Sequence, residues 1–251
     1  MPTMPAKIRL DKLLVERGLA ASRERAQALI LAGKVLVNEQ KVEKAGTAIE
    51  RAADIRVLGE DLKYVSRGGV KLEKALEHWR IDVRGLVCMD VGASTGGFTD
   101  CLLQHGAARV IAVDTGYGQI AHRLRQDPRV RLLERTNARY LKPEDVGEPV
   151  DLVAVDVSFI SATLVLPAVV RAACGGAHRR LELVALVKPQ FEAGREAVGK
   201  GGIVRDYEAQ QEAVERVRRA VLALAAVATD VIDSPILGAE GNREFLLRGT
   251  F

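Results

Sequence analysis

The sequence predicts an α/β protein in which a small α+β module precedes a doubly wound sheet, parallel except for an antiparallel last strand. Three observations predict it. Seven apolar runs follow residue 85, and the first five are separated by helical or looped stretches, as strands that return in parallel require. The last two are joined only by LGAEGNR, too short for a parallel crossover. The first 45 residues carry nine Lys/Arg against five Asp/Glu, while the rest of the chain is balanced, so a basic module stands at the N-terminal end.

Composition narrows the class. A chain of 251 residues, 48% hydrophobic, can bury a full core with room for a small extra module. The N-terminal MPTMPAKIRLDKLL has no apolar stretch of the secretory kind. The longest unbroken apolar run, Val221 to Ala228, has eight residues, and a membrane span needs roughly 20. Cys88, Cys101 and Cys174 stand apart without metal or redox spacing, and the four histidines form no zinc or triad pattern. The expectation is a cytoplasmic protein with reduced thiols, no metal and no stable membrane association. Its oligomeric state is open.

The expected domains are 1–62 and 67–251, joined by a linker at 63–66. Within the first, Leu10, Leu13 and Leu14 repeat at helical spacing and Gly18 closes that helix. Ser22 offers an N-cap to a second helix, whose stripe of Ala26, Leu29 and Ile30 stops at Gly33. Two short strands in KVLVNEQKV and a last strand in DIRVL complete the module. Arg23 and Arg25 fall in the first turn of the second helix, off its apolar stripe, where cations suit a phosphate backbone. The stretch RLDKLLVERGLAASRERAQALILAGKVLVN resembles the S-four RNA-binding domain, named after a small-subunit ribosomal protein. That resemblance implies binding of structured RNA, with Arg9, Lys12, Arg23, Arg25 and Lys34 as candidate contacts.

In the second domain, Leu72, Ala75, Leu76 and Trp79 make GVKLEKALEHW a helix. The first strand then runs into the loop DVGASTGGF, with Asp90, Gly92, Ala93, Ser94, Thr95, Gly96, Gly97 and Phe98 at the carboxyl edge where such sheets bind ligands. The glycines do not follow the G-x-G-x-x-G of pyrophosphate-binding loops, so a ligand without phosphates fits better. Asp114, 22 residues after Gly92 at the end of the next strand, is placed for ribose hydroxyls. Together they favour an adenosine ligand. S-adenosylmethionine, a sulfonium cation that tolerates Asp90, fits best. The stretch is similar to the first cofactor motif of Rossmann-like (class I) methyltransferases, and that similarity puts Asn137 near the adenine end.

The residues after the fourth strand bear on the methyl acceptor. Asp156-Val-Ser-Phe-Ile is not the Asn/Asp-Pro-Pro-aromatic motif of amino-directed methylases, and no cysteine there has an evident activating neighbour. A hydroxyl acceptor remains, and it needs a base. Lys188 ends the fifth strand beside Asp156, Glu244 starts the antiparallel strand at the same edge, and Lys71 lies off its helix's apolar stripe. A neighbouring cation favours the neutral, proton-accepting amine of Lys188, and the two acids orient the lysines.

SRGGVKL, DVGASTGGFTDCLL, DVSFIS, LVKPQFEAG and GNREFLL together resemble the FtsJ-like ribose methyltransferases. With the N-terminal module, nearly the whole chain is similar to the TlyA family. The resemblance implies 2′-O-methylation of cytidine in ribosomal RNA, on ribosomal subunits as partners, with the Lys71, Asp156, Lys188, Glu244 tetrad as the catalytic set. The chain stops seven residues after Glu244 while some relatives continue, which favours large-subunit RNA. Family members also bear the name haemolysin, so a membrane-acting protein is one alternative. A non-catalytic RNA-binding assembly factor is another.

Overall fold

The computed structural model describes residues 7–20, 22–58, 63–175, 180–238 and 241–251. The chain forms two compact units, Met1–Leu62 and Lys63–Phe251. The domain boundary expected at residue 62 falls among residues 59–62, outside the described residues.

In the N-terminal unit, β1 (Lys7–Arg9) leads into α1 (Leu10–Glu16) and α2 (Arg23–Leu31). Then come β2 (Val35–Val37), β3 (Gln40–Lys41), β4 (Ala48–Glu50) and β5 (Ile55–Val57). Ser22 caps α2 as expected, its hydroxyl accepting the Arg25 N–H at 3.2 Å. Leu10, Leu14, Ala26, Leu29 and Ile30 close over Val35 and Val37 in a small core. β2 pairs antiparallel with β3 and β5. The sequence reading missed β1 and β4, which pair antiparallel with Ile8 opposite Ile49. Strands of three residues, each with one apolar side chain between charged or small ones, are too short to show a period.

The second unit opens with α3 (Gly68–His78), β6 (Val87–Val91), α4 (Gly97–Gln104), β7 (Arg109–Val113), α5 (His122–Arg125) and β8 (Val130–Leu133). It continues through α6 (Pro143–Val146), β9 (Leu152–Val155), α7 (Ala162–Cys174), β10 (Glu182–Val187), α8 (Pro189–Glu192), α9 (Tyr207–Ala223), β11 (Ala228–Asp233) and β12 (Phe245–Thr250). The sheet order is β11-β12-β10-β9-β6-β7-β8. The first five of these strands in sequence are parallel, and β12 lies antiparallel between β10 and β11. This is the predicted doubly wound sheet. Alternate residues face opposite layers: Met89, Val91, Val153 and Val155 pack with α7 and α9, while Cys88, Val110, Leu152 and Ala154 pack with α3 and α4. Burial on both faces explains why these strands read as unbroken apolar runs. No helix among the described residues is long and apolar enough to cross a membrane.

Candidate active site

Parallel strands place their carboxyl ends on one edge, and register brings the side chains that follow them together. Val155 pairs with Val91 and with Ala185. Gly92, Asp156 and Lys188, which lie just beyond β6, β9 and β10, therefore share that edge. β12 enters from the opposite direction with Phe245 opposite Val187, so Glu244 comes beside Lys188. Lys71 arrives from α3. All four expected tetrad residues line one cleft of about 600 Å³, a volume suited to a small-molecule ligand.

The four form two ion pairs. The Lys188 ammonium lies 2.6 Å from Asp156 Oδ1 and donates to Ser158 Oγ at 2.8 Å. Lys71 Nζ pairs with Glu244 Oε2, and both residues are buried. Removing one member of such a pair strands a buried charge, a cost of about 3–5 kcal/mol. Each amine is thus held in one place by its own carboxylate.

The glycine loop serves both packing and access. Gly92 has φ +87°, and a Cβ there would meet the Asp156 carbonyl oxygen at 2.4 Å. Only glycine lets the loop turn so close to the end of β9. A Cβ on Gly97 would meet Ser66 Oγ at 2.2 Å and the Gly69 nitrogen at 3.0 Å, so this glycine seats α4 against α3. Asp90 is fully buried, and one carboxylate oxygen accepts both the backbone N–H (2.8 Å) and the hydroxyl (2.6 Å) of Thr99. Its other oxygen, Oδ1, has no hydrogen-bond partner among the described residues. Burial, with the nearby Asp156 charge adding to it, pushes the Asp90 carboxyl up to about 7.

Of the expected cofactor residues, Asp90, Gly92, Ala93, Ser94, Thr95, Gly97 and Phe98 line the cleft. Gly96, Asp114 and Asn137 do not. Gly96, at φ +95°, precedes α4 and faces Leu124. The Asp114 carboxylate is engaged by the backbone N–H groups of Ser94 (2.8 Å) and Gly116 (2.6 Å) and so ties the glycine loop to the end of β7. Asn137 accepts the Arg139 N–H at 3.0 Å and caps a short 3₁₀ turn.

The structure adds residues that the sequence reading passed over. Phe159 is 93% exposed with a left-handed φ of +63°, and its ring lies 5.4 Å from that of Phe191 at the cleft wall. A bulky residue held exposed in that conformation is unusual. Asn242 is buried, accepts the Val204 N–H and donates to the Gly202 carbonyl, holding that loop beside the cleft. The signal for Phe159 was present in Asp156-Val-Ser-Phe, but nothing in those letters shows an exposed ring.

In the N-terminal unit, Arg9 and Arg23 converge on one buried carboxylate. Asp11 accepts Arg9 Nε at 3.0 Å and Nη2 at 2.9 Å, Arg23 Nη2 at 3.0 Å and Gln27 Nε2 at 3.0 Å. The Arg9 guanidinium, helped by Gln27 and Arg23, outweighs burial and holds the Asp11 carboxyl well below the usual range. Both arginine side chains remain 48% exposed, so their outer edges face solvent. Lys12 and Lys34 are exposed, and Arg25 is half-buried.

Residues 64–251 match the FtsJ-like methyltransferase family, and residues 8–55 match the S4 domain. The chain belongs to the FtsJ-like methyltransferase family. Among its relatives is the 16S/23S rRNA (cytidine-2′-O)-methyltransferase TlyA of Mycobacterium tuberculosis, 48% identical over 97% of this chain and 90% of that protein. Hemolysin A of Brachyspira hyodysenteriae is 42% identical over 95% of this chain and 98% of that one. A solved structure of a hemolysin-named protein from Streptococcus thermophilus superposes with a TM-score of 0.72 at 43% identity, covering 99% of this chain and 89% of that chain. The FtsJ-like assignment covers the strands, the glycine loop and all four tetrad positions of the second unit.

Proposed function

We propose that this FtsJ-like protein transfers a methyl group from S-adenosylmethionine to the 2′-oxygen of a cytidine ribose in ribosomal RNA, with large-subunit RNA favoured. The observation that carries this reading is the pair of tethered lysines, Lys188 on Asp156 and Lys71 on Glu244, lining the same cleft as the glycine loop. The M. tuberculosis relative is named for both 16S and 23S rRNA, and a Campylobacter jejuni relative, 31% identical over 92% of this chain, is named for 23S rRNA. Large-subunit RNA is common to the two names. A ribosomal substrate puts the protein in the cytoplasm, with ribosomal subunits as its partners.

The residues present fit the methyl donor. Asp90 offers a buried, unpartnered carboxylate oxygen beside the cleft, a site that a cationic ligand would satisfy. Gly92 to Thr95 supply backbone without a bulky side chain, and Phe98 supplies an apolar wall. When bound, S-adenosylmethionine supplies an electrophilic methyl on a cationic sulfur. Lys188 first gives up a proton to solvent, and its neutral amine then takes the 2′-hydroxyl proton, while Asp156 and Ser158 fix the direction of its approach. Lys71, held by Glu244, sets a second cation in the cleft and positions the ribose oxygen. The exposed Phe159 ring gives the target base a surface on which to stack. Arg9 and Arg23, with Lys12, Arg25 and Lys34, bind RNA phosphates from the N-terminal unit.

Lys188→Met keeps the length of the side chain and removes the amine. Single-turnover methyl transfer to isolated ribosomal subunits should fall by about 10²–10⁴, with donor and RNA affinities within about twofold of wild type. Wild-type rates in both Lys188→Met and Lys71→Met would refute the tetrad reading.

A further inference from the structure

Two of the motifs beyond the strand ends, DVSFIS and LVKPQFEAG, meet at a buried carboxylate that the methyl-transfer chemistry leaves unused. Glu192 is 3% exposed. Its Oε2 accepts the Ser161 hydroxyl at 2.5 Å, and its Oε1 accepts the Ala162 N–H at 2.6 Å. Ser161 is the N-cap of α7, where its Oγ also accepts the Thr163 N–H at 3.2 Å. Among the described residues no cation forms an ion pair with Glu192, and Arg216, the charge that acts on it, pairs with Glu212. Burial pushes the Glu192 carboxyl up against the pull of its two hydrogen bonds. Burying an acid without a cation carries a cost that an apolar side chain of similar size would avoid, so what these bonds hold together matters.

They join the two loops that carry the Lys188–Asp156 pair. β9 and β10 are neighbouring parallel strands. Beyond β9 the chain runs through Asp156, Ser158 and Phe159 to Ser161, and beyond β10 it passes from Lys188 into α8, which ends at Glu192. Pro189 fixes φ at the first position of α8, and the Phe191 N–H donates to the Lys188 carbonyl at 2.9 Å. One stiff turn therefore sets Glu192 relative to Lys188. The loops are tied at both ends, Lys188 to Asp156 and Ser158 at one, Glu192 to Ser161 and Ala162 at the other. Between the ties, the Phe159 and Phe191 rings meet. From Val157 to Ser161 no backbone N–H donates to another backbone group among the described residues, so side chains and the two ends hold this loop.

We propose that Glu192 is a positioning residue for methyl transfer: by tying the N-terminal end of α7 to the turn that follows Lys188, it holds Asp156 and Ser158 against the Lys188 amine. This rests on the RNA-methylating reading above. A displacement of about 1 Å between the loops would turn the amine away from the ribose oxygen, at a loss of about 10² in rate.

The test uses the full-length chain with S-adenosylmethionine and isolated ribosomal subunits. Glu192→Gln keeps a carbonyl for the Ala162 N–H and an amide for Ser161 Oγ, so its single-turnover rate should stay within about threefold of wild type. Glu192→Ala removes both bonds and should lose about 10² at saturating RNA, with RNA half-saturation and donor affinity within about twofold of wild type. In a Lys188→Met background, where the amine to be positioned is gone, Glu192→Ala should lose less than about threefold. Ser161→Ala removes one of the two bonds and should lose about tenfold, again only where Lys188 is present. Amide hydrogen exchange, read without RNA or donor, should be about tenfold faster at Ala162 in Glu192→Ala and unchanged in Glu192→Gln. Equal losses in both Lys188 backgrounds would overturn the proposal, since Glu192 would then act on the whole unit rather than through the amine. So would wild-type exchange and rate in Glu192→Ala, or a Glu192→Gln variant as slow as Glu192→Ala. If the unaltered chain transfers no methyl group, the activity reading fails, and the exchange measurement still decides whether Glu192 ties the loops.

Discussion

Replacing Asp11 with asparagine sets two physical effects against each other, and their signs differ for RNA binding. The change removes one negative charge from the basic unit, which by charge alone should tighten binding to a polyanion. It also unmakes the clamp. Arg9 Nη2, Arg23 Nη2 and Gln27 Nε2 all donate to the same oxygen, so an amide that keeps its carbonyl at the other position points N–H groups at three donors. Because Asp11 answers two guanidinium groups whose outer edges stay in water, losing its charge should cost the N-terminal unit only about 1–2 kcal/mol. The freed arginines must then be ordered by the RNA, at about 0.5–1.5 kcal/mol for each long side chain. Two such costs correspond to a loss of about tenfold or more in affinity. The gain from one removed charge, screened over a Debye length of about 8 Å, is smaller. Binding of full-length Asp11→Asn to ribosomal RNA fragments across a salt series reads the sign directly, with circular dichroism showing that the N-terminal unit is still folded. Arg23→Ala, which leaves the Arg9–Asp11 pair in place, should weaken binding and flatten its salt dependence. A folded Asp11→Asn protein that binds RNA as tightly as wild type, or more tightly, would refute the clamp.

The glycine loop supports two more predictions. Asp90 is raised to about 7 in the folded chain by burial, so the folded state holds its proton where the unfolded chain, near 3.8, has released it. Its contribution to stability is therefore greatest in acid and is lost as pH rises toward 7. A cationic donor favours the ionised form, so S-adenosylmethionine binding near pH 6.5 should release a proton. Calorimetry in buffers of different ionisation enthalpy should show that release in wild type and none in Asp90→Asn; equal release in both would remove Asp90 from the coupling. Gly92→Ala forces a Cβ against the Asp156 carbonyl at a left-handed backbone position. Thermal unfolding should report a loss of at least about 2 kcal/mol together with weakened donor binding, and a wild-type melting temperature would contradict the close approach.

What the sequence revealed depended on how local each determinant is. The long apolar strands, the Ser22 cap and the residues just beyond strand ends were legible, because parallel order alone places Asp156 and Lys188 on one edge. The glycine loop was legible as a loop, but the division of labour between Gly92 and Gly97 was not, since it depends on what each Cβ would strike in another element. Asp114 shows the limit of spacing rules: its place at the end of β7 was legible, but the Ser94 and Gly116 N–H groups that its carboxylate accepts depend on how the two loops fold. The β1–β4 pair was invisible because three-residue strands show no alternation. The Asp11 clamp reaches a partner 16 positions away, Gln27, through a helix pair, which only the folded unit reveals. Phe159 takes a left-handed backbone position normally filled by glycine or asparagine, so its letter gave no hint of the geometry.

The most direct measurement is a nucleotide-resolution map of 2′-O-methyl groups on ribosomal RNA, from cells with the protein, cells without it and cells carrying only Lys188→Met. Loss of a methyl at a cytidine, in large-subunit RNA in particular, should accompany both the deletion and the variant, and the purified wild-type chain with S-adenosylmethionine should restore it on isolated subunits. Identical maps in all three, with no transfer by the purified chain, would contradict assignment of the Lys71, Asp156, Lys188 and Glu244 cleft as a ribose methylation site.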